Sequence, residues 1–348
     1  MNNIKGKTGV LLVNLGTPDS PRTKDVRKYL REFLMDKRVI DIPFITRWML
    51  VNLIIAPFRA PKSAKVYQQL WEERGSPLMF YGEDVKSLLQ TALGDKYIVE
   101  LAMRYQKPSI KSGLSNLMDR QVGEIIVIPL FPQYASATTG SVVDKVMEIS
   151  KEWQIIPNLK FVSSFLSNDL FIKAFATIGK KYLDHAEFDH VIFSYHGIPE
   201  RQIKKASVGN YCRLGDCCDV FHKKNQFCYR AQCFHTSRLL AHKLALDESQ
   251  YTVSFQSRLG KDPWIQPYTD DIIKQLPKEG KKRVLAFSPA FIADCLETTV
   301  EVGAEFKEIF LEEGGEYWQL VESLNDHPLW IECLKSLVIQ NEEEVVGF

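Results

Sequence analysis

Eight short apolar runs, separated by longer segments with helical patterning, constrain the fold of this chain most strongly. They are rich in β-branched and aromatic residues and cover 9–15, 97–103, 124–131, 160–165, 190–195, 251–257, 283–289 and 317–323. Nearly continuous apolar runs that alternate with helices are typical of parallel strands covered on both faces. The pattern predicts an α/β protein with two units of four strands.

The two halves of the chain carry similar motifs in the same order. VNLGTP pairs with SYHGIP, YIVELAMR with YTVSFQSR, and PLFPQYASATT with PAFIADCLETT. Such order indicates an internal duplication. We therefore predict two similar Rossmann-like lobes, each a four-stranded parallel sheet flanked by helices. The predicted boundaries are 1–157 for the first lobe, 158–325 for the second, and 326–348 for a C-terminal helix or tail that packs back on the lobes.

Composition limits the classes of partner. With 44 Lys and Arg against 43 Asp and Glu, the net charge is +1 over 348 residues, so no general attraction to nucleic acid is expected. The first apolar run ends at Gly16-Thr17-Pro18 rather than at a small-residue cleavage site, which predicts a cytoplasmic protein. No G-x-G-x-x-G follows that run, so a dinucleotide cofactor is not expected.

The segment 44–58, FITRWMLVNLIIAPF, is the most apolar stretch of the chain. Arg47 and Asn52 interrupt it, and it is too short to span a bilayer. Two interpretations are open, a buried core helix and an apolar lip that faces substrate or a membrane surface.

Polar and aromatic residues follow the predicted strands, where open parallel sheets bind their ligands. The candidates at these positions are Arg104, Tyr105, Tyr134, His196, Gln256, Ser257, Phe291 and Asp294. Trp264 lies a few residues beyond the sixth run and offers a flat apolar surface, although it could equally belong to the core. The set suits a large planar ligand that bears carboxylates.

His196 is the strongest single candidate for chemistry. It ends an apolar strand directly before Gly197 and Pro199, which predict a turn and a stiff mount for the ring. A strand-end imidazole can accept a proton near neutral pH or bind a metal.

Four acids follow the seventh run: Asp294, Glu297, Glu301 and Glu305. On a helix the three glutamates, spaced by four, share one face, where like charges repel. Such a row suits the passage of divalent cations or of protons, because hard oxygen ligands bind such ions and crowding raises carboxyl pKa values. A solvated acidic helix is the alternative.

Five of the seven cysteines fall within 211–235, YCRLGDCCDVFHKKNQFCYRAQCFH: Cys212, Cys217, Cys218, Cys228 and Cys233. In a reducing compartment clustered cysteines more often hold metal than form disulfides. Zinc usually uses Cys-x₂-Cys pairs, which this segment lacks, although His222 and His235 could complete a mixed site. The spacing fits a [2Fe–2S] cluster at least as well, so a cluster, zinc and free thiols all stay open.

The chain resembles the ferrochelatase family, in motifs that span almost its whole length. These are NLGTPDSP (14–21), GSPL (75–78), MRYQKPS (103–109), PLFPQYASATTGS (129–141), SYHGIPER (194–201), FQSRLGKDPWIQPYTD (255–270) and SPAFIADCLETTVEV (288–302). The resemblance implies the chelatase fold, with a porphyrin in the cleft between the lobes. It implies a lyase that inserts Fe²⁺ into protoporphyrin IX and releases two protons, the last step of haem biosynthesis.

The resemblance also implies roles for single residues. His196 and Glu297 match the family's catalytic residues, and Glu301 and Glu305 match the acidic row that leads away from the porphyrin. Positions that line the macrocycle match Arg104, Gln256, Ser257, Trp264 and Phe291, and 44–58 resembles a pocket lip that can touch membrane. The family often has histidine where this chain has Cys295.

The cysteine segment resembles an insertion, because CYRAQC (228–233) stands where relatives have a motif like PYxxQC. Some members of the family carry a [2Fe–2S] cluster, which favours that cofactor for the insertion 211–233. The expected ligands are Cys212, Cys217 or Cys218, Cys228 and Cys233.

Three functional alternatives stay open at this point. They are a chelatase that handles cobalt, a chelatase specific for coproporphyrin, and a haem or iron carrier without catalysis. The sequence also leaves open which of His196 and Glu297 takes protons and which delivers metal.

Overall fold

The computed structural model describes residues 6–258, 260 and 262–343, and within them it contains two compact units. The first unit runs to Phe131 and adds Ser136–Ser164 and the segment from Trp330. The second comprises Pro132–Ala135 and Phe165–Leu329. Leu259 and Lys261, part of the motif at 255–270, lie outside the described residues. The predicted domain boundaries after residues 157 and 325 stay predictions.

Each unit contains one four-stranded parallel sheet, which confirms the predicted fold class. In the first unit the strands are β1 (Thr8–Asn14), β2 (Tyr97–Met103), β3 (Glu124–Pro129) and β4 (Asn158–Phe161), in the order β2-β1-β3-β4. In the second they are β5 (His190–His196), β6 (Tyr251–Gln256), β7 (Arg283–Phe287) and β8 (Tyr317–Leu320), in the order β6-β5-β7-β8. Because the two orders are equivalent, the sheets support the duplication inferred from the motifs.

Helices connect the strands. They are α1 (Thr23–Leu34), α2 (Phe44–Met49), α3 (Ala56–Leu70), α4 (Pro77–Leu93), α5 (Ile110–Asp119), α6 (Ser141–Ser150), α7 (Asp169–His185), α8 (Glu200–Ala206), α9 (Tyr229–Lys243), α10 (Thr269–Gln275), α11 (Phe306–Glu312) and α12 (Pro328–Glu343). Three π-helical segments add to these, at Leu50–Ile55, Ser136–Gly140 and Leu296–Glu305. Short 3₁₀ turns lie at Val208–Asn210, Asp216–Cys218, Glu248–Gln250 and Leu276–Glu279.

The central strands are buried on both faces, as their continuous apolar runs predict. Every residue of β1 is buried, and in β5 only the last residue, His196, is partly exposed. In the first unit α5 and α6 cover one face, where Leu114, Leu117 and Val142 join the core. The burial of these apolar faces stabilises each sheet and fixes the ends of its strands.

The π-helical segments Ser136–Gly140 and Leu296–Glu305 follow the third strand of their respective sheets. They correspond to the duplicated motifs PLFPQYASATT and PAFIADCLETT. The acidic row therefore lies on a π-helix and not on the α-helix that the spacing suggested. Because π-helical hydrogen bonds join residues five apart, residues four apart still lie on the same side.

The segment 44–58 is not a core helix, so that interpretation is wrong. Seven large apolar side chains in it are exposed: Phe44, Ile45, Trp48, Met49, Leu53, Ile54 and Phe58. Arg47, which interrupts the run in the sequence, is buried and donates hydrogen bonds to the carbonyls of Ile40 and Ile42 at 3.0 and 3.1 Å. No helix among the described residues is long and apolar enough to cross a membrane.

Candidate active site at the end of the second sheet

His196 is the last residue of β5 and lies next to Gln256, its register partner at the end of β6. Its Nδ1 is 2.6 Å from the carbonyl oxygen of Gly197. Because a carbonyl only accepts, Nδ1 carries the proton and Nε2 is the free, basic nitrogen of the ring. The ring centroid is 6.3 Å from that of Trp264.

Gly197 is required by close packing behind His196. A Cβ at this position would lie 3.0 Å from the carbonyl oxygen of Gln256 and 3.2 Å from the indole of Trp264. The Gly197 N–H donates to that same carbonyl at 2.8 Å. The turn after β5 is therefore held against β6, which fixes the base of the His196 side chain.

Glu301 is held by two side chains from the end of the sixth strand. One of its oxygens, Oε2, accepts from the hydroxyl of Ser257 at 2.6 Å and from Nε2 of Gln256 at 3.2 Å. Burial raises the pKa of Glu301 and neighbouring Glu297 adds to the rise, whereas Ser257, His196 and Gln256 oppose it. Glu301 thus lies within electrostatic reach of both His196 and Glu297, and it holds a proton more readily than an ordinary carboxyl group.

Exposure increases along the acidic row. Glu297 and Glu301 are partly buried and Glu305 is exposed. The row therefore ends at solvent, and its role as an ion path stays a prediction.

Asp294 lies apart from this row in its contacts. Its carboxylate accepts from the backbone N–H of Ser323 at 3.1 Å and from the side-chain amide of Asn325 at 2.8 Å. The backbone N–H of Asp294 donates to the side chain of Asn325 at 2.9 Å. Asp294 therefore anchors the 323–325 loop to the segment that precedes the π-helix.

Gln256, predicted to bind substrate, has its side chain engaged within the protein. Its Oε1 accepts from the hydroxyl of Ser194 at 2.6 Å, and its Nε2 donates to the carbonyl of Glu297 at 3.0 Å as well as to Glu301. It thus holds the backbone at Glu297 and the carboxylate of Glu301. Phe291 and Trp264, also predicted to line the macrocycle, are partly buried residues of the same unit.

Arg104 and Tyr105, in the first unit, form a buried polar network. The guanidinium of Arg104 donates to Asp36 at 2.6 Å and to the hydroxyl of Ser141 at 2.6 Å, and the Tyr105 hydroxyl donates to Asp36 at 2.9 Å. Burial acts to raise the pKa of Asp36, but the hydrogen bond from Ser141, the backbone N–H of Arg38 and the charge of Arg104 outweigh it, so the pKa is lowered. A role in substrate binding stays a prediction for both residues.

Tyr134, the remaining predicted substrate residue, belongs to the second unit. Its backbone N–H donates to the side chain of Gln232 at 2.7 Å, and the side chain of Gln133 donates to Thr236 at 3.1 Å. Helix α9 thus holds the 132–135 segment in place.

Four of the five clustered cysteines line one narrow pocket: Cys212, Cys217, Cys218 and Cys228. They form two hydrogen-bonded pairs, Cys212 with Cys217 and Cys218 with Cys228. The bond from Cys218 lowers the pKa of Cys228, and it raises the pKa of Cys218 itself. Among the described residues, no three His, Cys, Asp or Glu side chains are grouped so that they could hold one metal ion.

Buried Asn225 organises this cysteine pocket. Its amide donates to the carbonyls of Cys217 at 2.9 Å and Val220 at 2.7 Å, and its side-chain oxygen accepts from the N–H of His222. Cys233 is not among the residues that line the pocket; it is fully buried in α9 and hydrogen bonds to Tyr229.

Two residues that contact predicted site residues, one in each unit, were not predicted from the sequence. Tyr229 donates from its hydroxyl to the carbonyl of His196 at 2.9 Å, and Asp36 accepts from Arg104 and Tyr105. The sequence did contain a signal for Tyr229, because it is the tyrosine of the CYRAQC motif. Asp36 had none, since its partners are about 70 residues away in the chain.

Comparison with solved structures identifies the class of fold. SirB from Bacillus subtilis with Fe³⁺ matches with a TM-score of 0.55 at 11% identity, covering 97% of this chain and 98% of that one. The sirohydrochlorin chelatase SirB from Bacillus subtilis subspecies spizizenii, in complex with cobalt, matches with a TM-score of 0.53 at 10% identity, covering 98% and 97%. The fold is that of the metal chelatases.

Comparison of sequences identifies the family. A family model described as Ferrochelatase matches residues 7–342. Ferrochelatase of Legionella pneumophila (strain Lens) is 48% identical over 332 residues, covering 95% of this chain and 98% of the relative. Ferrochelatase of Coxiella burnetii (strain CbuK_Q154) is 43% identical over 336 residues, covering 95% and 93%. The chain belongs to the ferrochelatase family, and its reaction is that of a metal-chelating lyase, the insertion of ferrous iron into a porphyrin to give protohaem.

Proposed function

We propose that this ferrochelatase removes the pyrrole protons of protoporphyrin IX through His196 and Glu301, while Glu297 handles the incoming iron. The observation that carries the proposal is the position of Glu301, whose Oε2 accepts from Ser257 and from Gln256, the register partner of His196. Burial also raises the pKa of Glu301. A base whose pKa lies closer to neutral accepts a proton from an imidazolium more readily than an ordinary carboxylate does. His196 Nε2 takes a proton, Glu301 receives it, and exposed Glu305 passes it to solvent.

Glu297 is the natural group for the metal in this scheme. It lies one turn before Glu301 in the row. One oxygen of Glu301 already accepts two hydrogen bonds, so this oxygen is less available to bind iron. Carboxylate oxygens are suitable ligands for a divalent cation that has to be released again. A distorted macrocycle held against Trp264 would expose its nitrogen lone pairs, which is stabilisation of the transition state rather than of the substrate.

The roles separate in steady-state kinetics with ferrous iron under anaerobic conditions. We expect His196→Ala to lower kcat by about 10²-fold or more, the range typical of a lost acid–base group. Glu301→Gln should lower kcat with the KM for iron unchanged, and Glu297→Gln should raise the KM for iron. Normal turnover by His196→Ala, or an equal rise of the iron KM in both glutamate variants, would overturn the assignment.

Protoporphyrin IX is the proposed macrocycle because NLGTPD at 14–19 resembles relatives that use it. Rates measured in parallel with protoporphyrin IX and coproporphyrin III test this. A higher kcat/KM for coproporphyrin would contradict it, and a product formed only with cobalt would point to the other class of chelatase.

We further propose that Cys212, Cys217, Cys218 and Cys228 hold a [2Fe–2S] cluster. The donor set fits, because such a cluster takes two thiolates on each iron and the pocket contains two pairs of thiols. A single zinc ion would instead need its donors around one point. The N–H of Arg213, 3.3 Å from the sulfur of Cys217, is a donor of the kind that tunes such clusters. When bound, the cluster supplies a structural clamp or a redox-active group.

Iron and acid-labile sulfide content, with the visible absorption spectrum of the protein purified without oxygen, tests this cofactor. We expect two irons per chain in the wild type and loss of absorption in Cys212→Ser and Cys218→Ser. Cys233→Ser is the matched control and should keep the spectrum. A colourless, iron-free wild type, or loss of the spectrum in Cys233→Ser alone, would contradict the proposed ligand set.

The exposed apolar face of 44–58 is proposed to contact a bilayer that contains anionic phospholipid. The side chain of Arg47, the one charged residue within 44–58, is buried and donates to a backbone carbonyl. The seven exposed apolar side chains therefore form a face that this charge does not interrupt. Helix α1, which packs against α3, lines a basic pocket with Lys24, Arg27, Lys28 and Arg31. Apolar insertion combined with nearby cations is the physical basis of binding to anionic surfaces. The predicted cytoplasmic location stays a prediction.

Co-sedimentation with vesicles distinguishes a membrane face from a substrate lip. Binding should be stronger to vesicles of phosphatidylglycerol and phosphatidylcholine than to phosphatidylcholine alone, and Ile45→Ser/Phe58→Ser should weaken it. Ile155→Ser/Ile156→Ser is the control, since both isoleucines are exposed in the same unit. Unchanged binding by Ile45→Ser/Phe58→Ser together with a raised porphyrin KM would assign the face to substrate instead.

A further inference from the structure

The first turn of α9 joins the cysteine pocket to the candidate active site. Cys228, which lines the pocket, directly precedes the helix. The hydroxyl of the next residue, Tyr229, donates to the carbonyl of His196 at 2.9 Å. Arg230 donates to the carbonyl of Gly215 at 3.1 Å, in the segment 211–228 that we call the cysteine loop. It also donates at 3.1 Å to the carbonyl of Gln266, two residues after Trp264. Three successive residues thus connect the two regions.

The hydrogen bond from Tyr229 holds the backbone segment that determines the orientation of the His196 ring. Its acceptor is the carbonyl of His196, and the next carbonyl along the chain, that of Gly197, accepts from Nδ1 of the His196 ring. A rotation of the 196–197 peptide therefore also displaces Gly197, whose carbonyl is the partner of the ring. Tyr229 is buried, and its hydroxyl donates this hydrogen bond.

The cysteine loop is fixed to the same helix at further points. The ring of Phe221 stacks on that of His235, with centroids 4.5 Å apart and planes 13° apart. The guanidinium of Arg238 donates to the carbonyl of Cys218 at 3.4 Å. These contacts hold the cysteine loop against α9.

We propose that Tyr229 is a positioning residue that makes the orientation of His196 depend on the state of the cysteine pocket. The inference rests on the proposed cluster, because it needs a pocket with two states. With its thiolates bound, Cys228 holds the first turn of α9 in place. With the thiolates free, Cys228 is released, the turn shifts, and the hydroxyl of Tyr229 carries the shift to the His196 carbonyl. Proton transfer at His196 would then respond to the supply of iron and sulfide.

Nuclear magnetic resonance of ¹³C-histidine-labelled protein tests this link without porphyrin. The Cε1–H resonance of His196, assigned by its loss in His196→Asn, is followed in cluster-loaded and cluster-free wild type and in the same two states of Tyr229→Phe. We expect the resonance to differ between the two wild-type states and to be nearly the same in both states of Tyr229→Phe. In kinetics Tyr229→Phe should lower kcat by about tenfold or less, the scale of one buried hydrogen bond, with the porphyrin KM unchanged.

Tyr195→Phe is the matched control. The Tyr195 hydroxyl also joins β5 to α9, through a 2.8 Å hydrogen bond to buried Ser237, but it does not contact the His196 carbonyl. Tyr195→Phe should therefore keep the difference between the two states. Equal responses in Tyr229→Phe and wild type, or loss of the response in Tyr195→Phe as well, would overturn the inference.

Failure of the cluster is separable from failure of the link. Visible absorption reports whether the pocket binds a cluster at all. If it does not, Cys228→Ser still changes the same end of α9. This single variant should move the His196 resonance relative to wild type. In the Tyr229→Phe background, adding Cys228→Ser should leave the resonance unmoved. An unmoved resonance in Cys228→Ser would reject the link itself.

Discussion

The hydroxyl of Ser257 donates a 2.6 Å hydrogen bond to Oε2 of Glu301, and Ser257 adopts a left-handed backbone with φ of 65°. Such a conformation is uncommon for a residue other than glycine. It aims the hydroxyl at the acidic row directly after β6 ends. Ser257 and Gln256 together thus hold one oxygen of a buried carboxylate.

Removal of the Ser257 hydroxyl should make Glu301 harder to ionise. The hydrogen bond from Ser257 lowers the pKa of Glu301, against the rise caused by burial, so Ser257→Ala should raise that pKa further. Since ionised Glu301 is the proposed proton acceptor, the acid limb of the kcat–pH profile should move to higher pH by about one unit. Ser288→Ala is the control, because the buried Ser288 hydroxyl has no hydrogen-bond partner among the described residues. An unmoved limb in Ser257→Ala would exclude Glu301 as the acceptor.

Glu301 should also make the folded state less stable as pH rises. A carboxyl group whose pKa is raised on folding stabilises the fold below its unfolded pKa, and this stabilisation is lost as pH rises through the folded value. In Glu301→Gln that loss is absent, so Tm should vary less with pH above about 4.5, near the unfolded value. Exposed Glu305 supplies the control, since Glu305→Gln should leave the pH dependence of Tm as in the wild type. Parallel Tm curves for Glu301→Gln and wild type would contradict the prediction.

His190, at the start of β5, should act in the opposite direction. Burial, with nearby Lys281, lowers its pKa to about 4, so the ring is neutral in the fold. A histidine with a lowered pKa stabilises the fold above its unfolded pKa of about 6.5, and this stabilisation is lost as pH falls from there to the folded value. His190→Gln should therefore flatten the fall of Tm between pH 6.5 and 4. Exposed His185→Gln should not, and an equal effect of both changes would count against the assignment.

A methyl group at position 197 should disturb the turn that carries His196. Gly197→Ala places its Cβ 3.0 Å from the backbone carbonyl of Gln256, which cannot move without breaking the β5–β6 register. We expect a loss of about 1–3 kcal/mol in the free energy of unfolding, the usual cost of overpacking, and a lower kcat. Gly123→Ala, where a Cβ would meet nothing within 4 Å, should unfold in urea as the wild type does. Wild-type stability of Gly197→Ala would show that the turn can relax.

Local patterns were sufficient to predict the elements of both sheets. All eight apolar runs overlap a strand, because a run of β-branched and aromatic residues is itself a strand signal. The repeated motifs predicted equivalent lobes, and the two sheets have equivalent strand orders. Family membership was also predictable, since the motifs that carry it are contiguous in the sequence.

Contacts between distant segments were harder to predict from the sequence. The spacing of the glutamates predicted a shared face but not the π-helix, since the hydrogen-bond pattern of a helix leaves no trace in a charge pattern. The hydrogen bonds from the amide of Gln256 to the backbone of Glu297 and the carboxylate of Glu301 were not predicted, and its role in substrate binding stays a prediction. For the apolar segment 44–58, the sequence did not distinguish burial from exposure, because the same apolar pattern fits a core helix and an exposed surface until the neighbouring segments are known.

The sequence by itself determined the strands, the duplication, the family and the residue types that chelation requires. Tertiary structure decided which residues contact one another. It paired Ser257 with Glu301 and it linked Tyr229 to His196, across 44 and 33 positions of the chain respectively. The reason is physical: periodicity records whether a residue is buried, but a hydrogen bond between segments exists only where the folded backbone brings donor and acceptor within about 3 Å of each other.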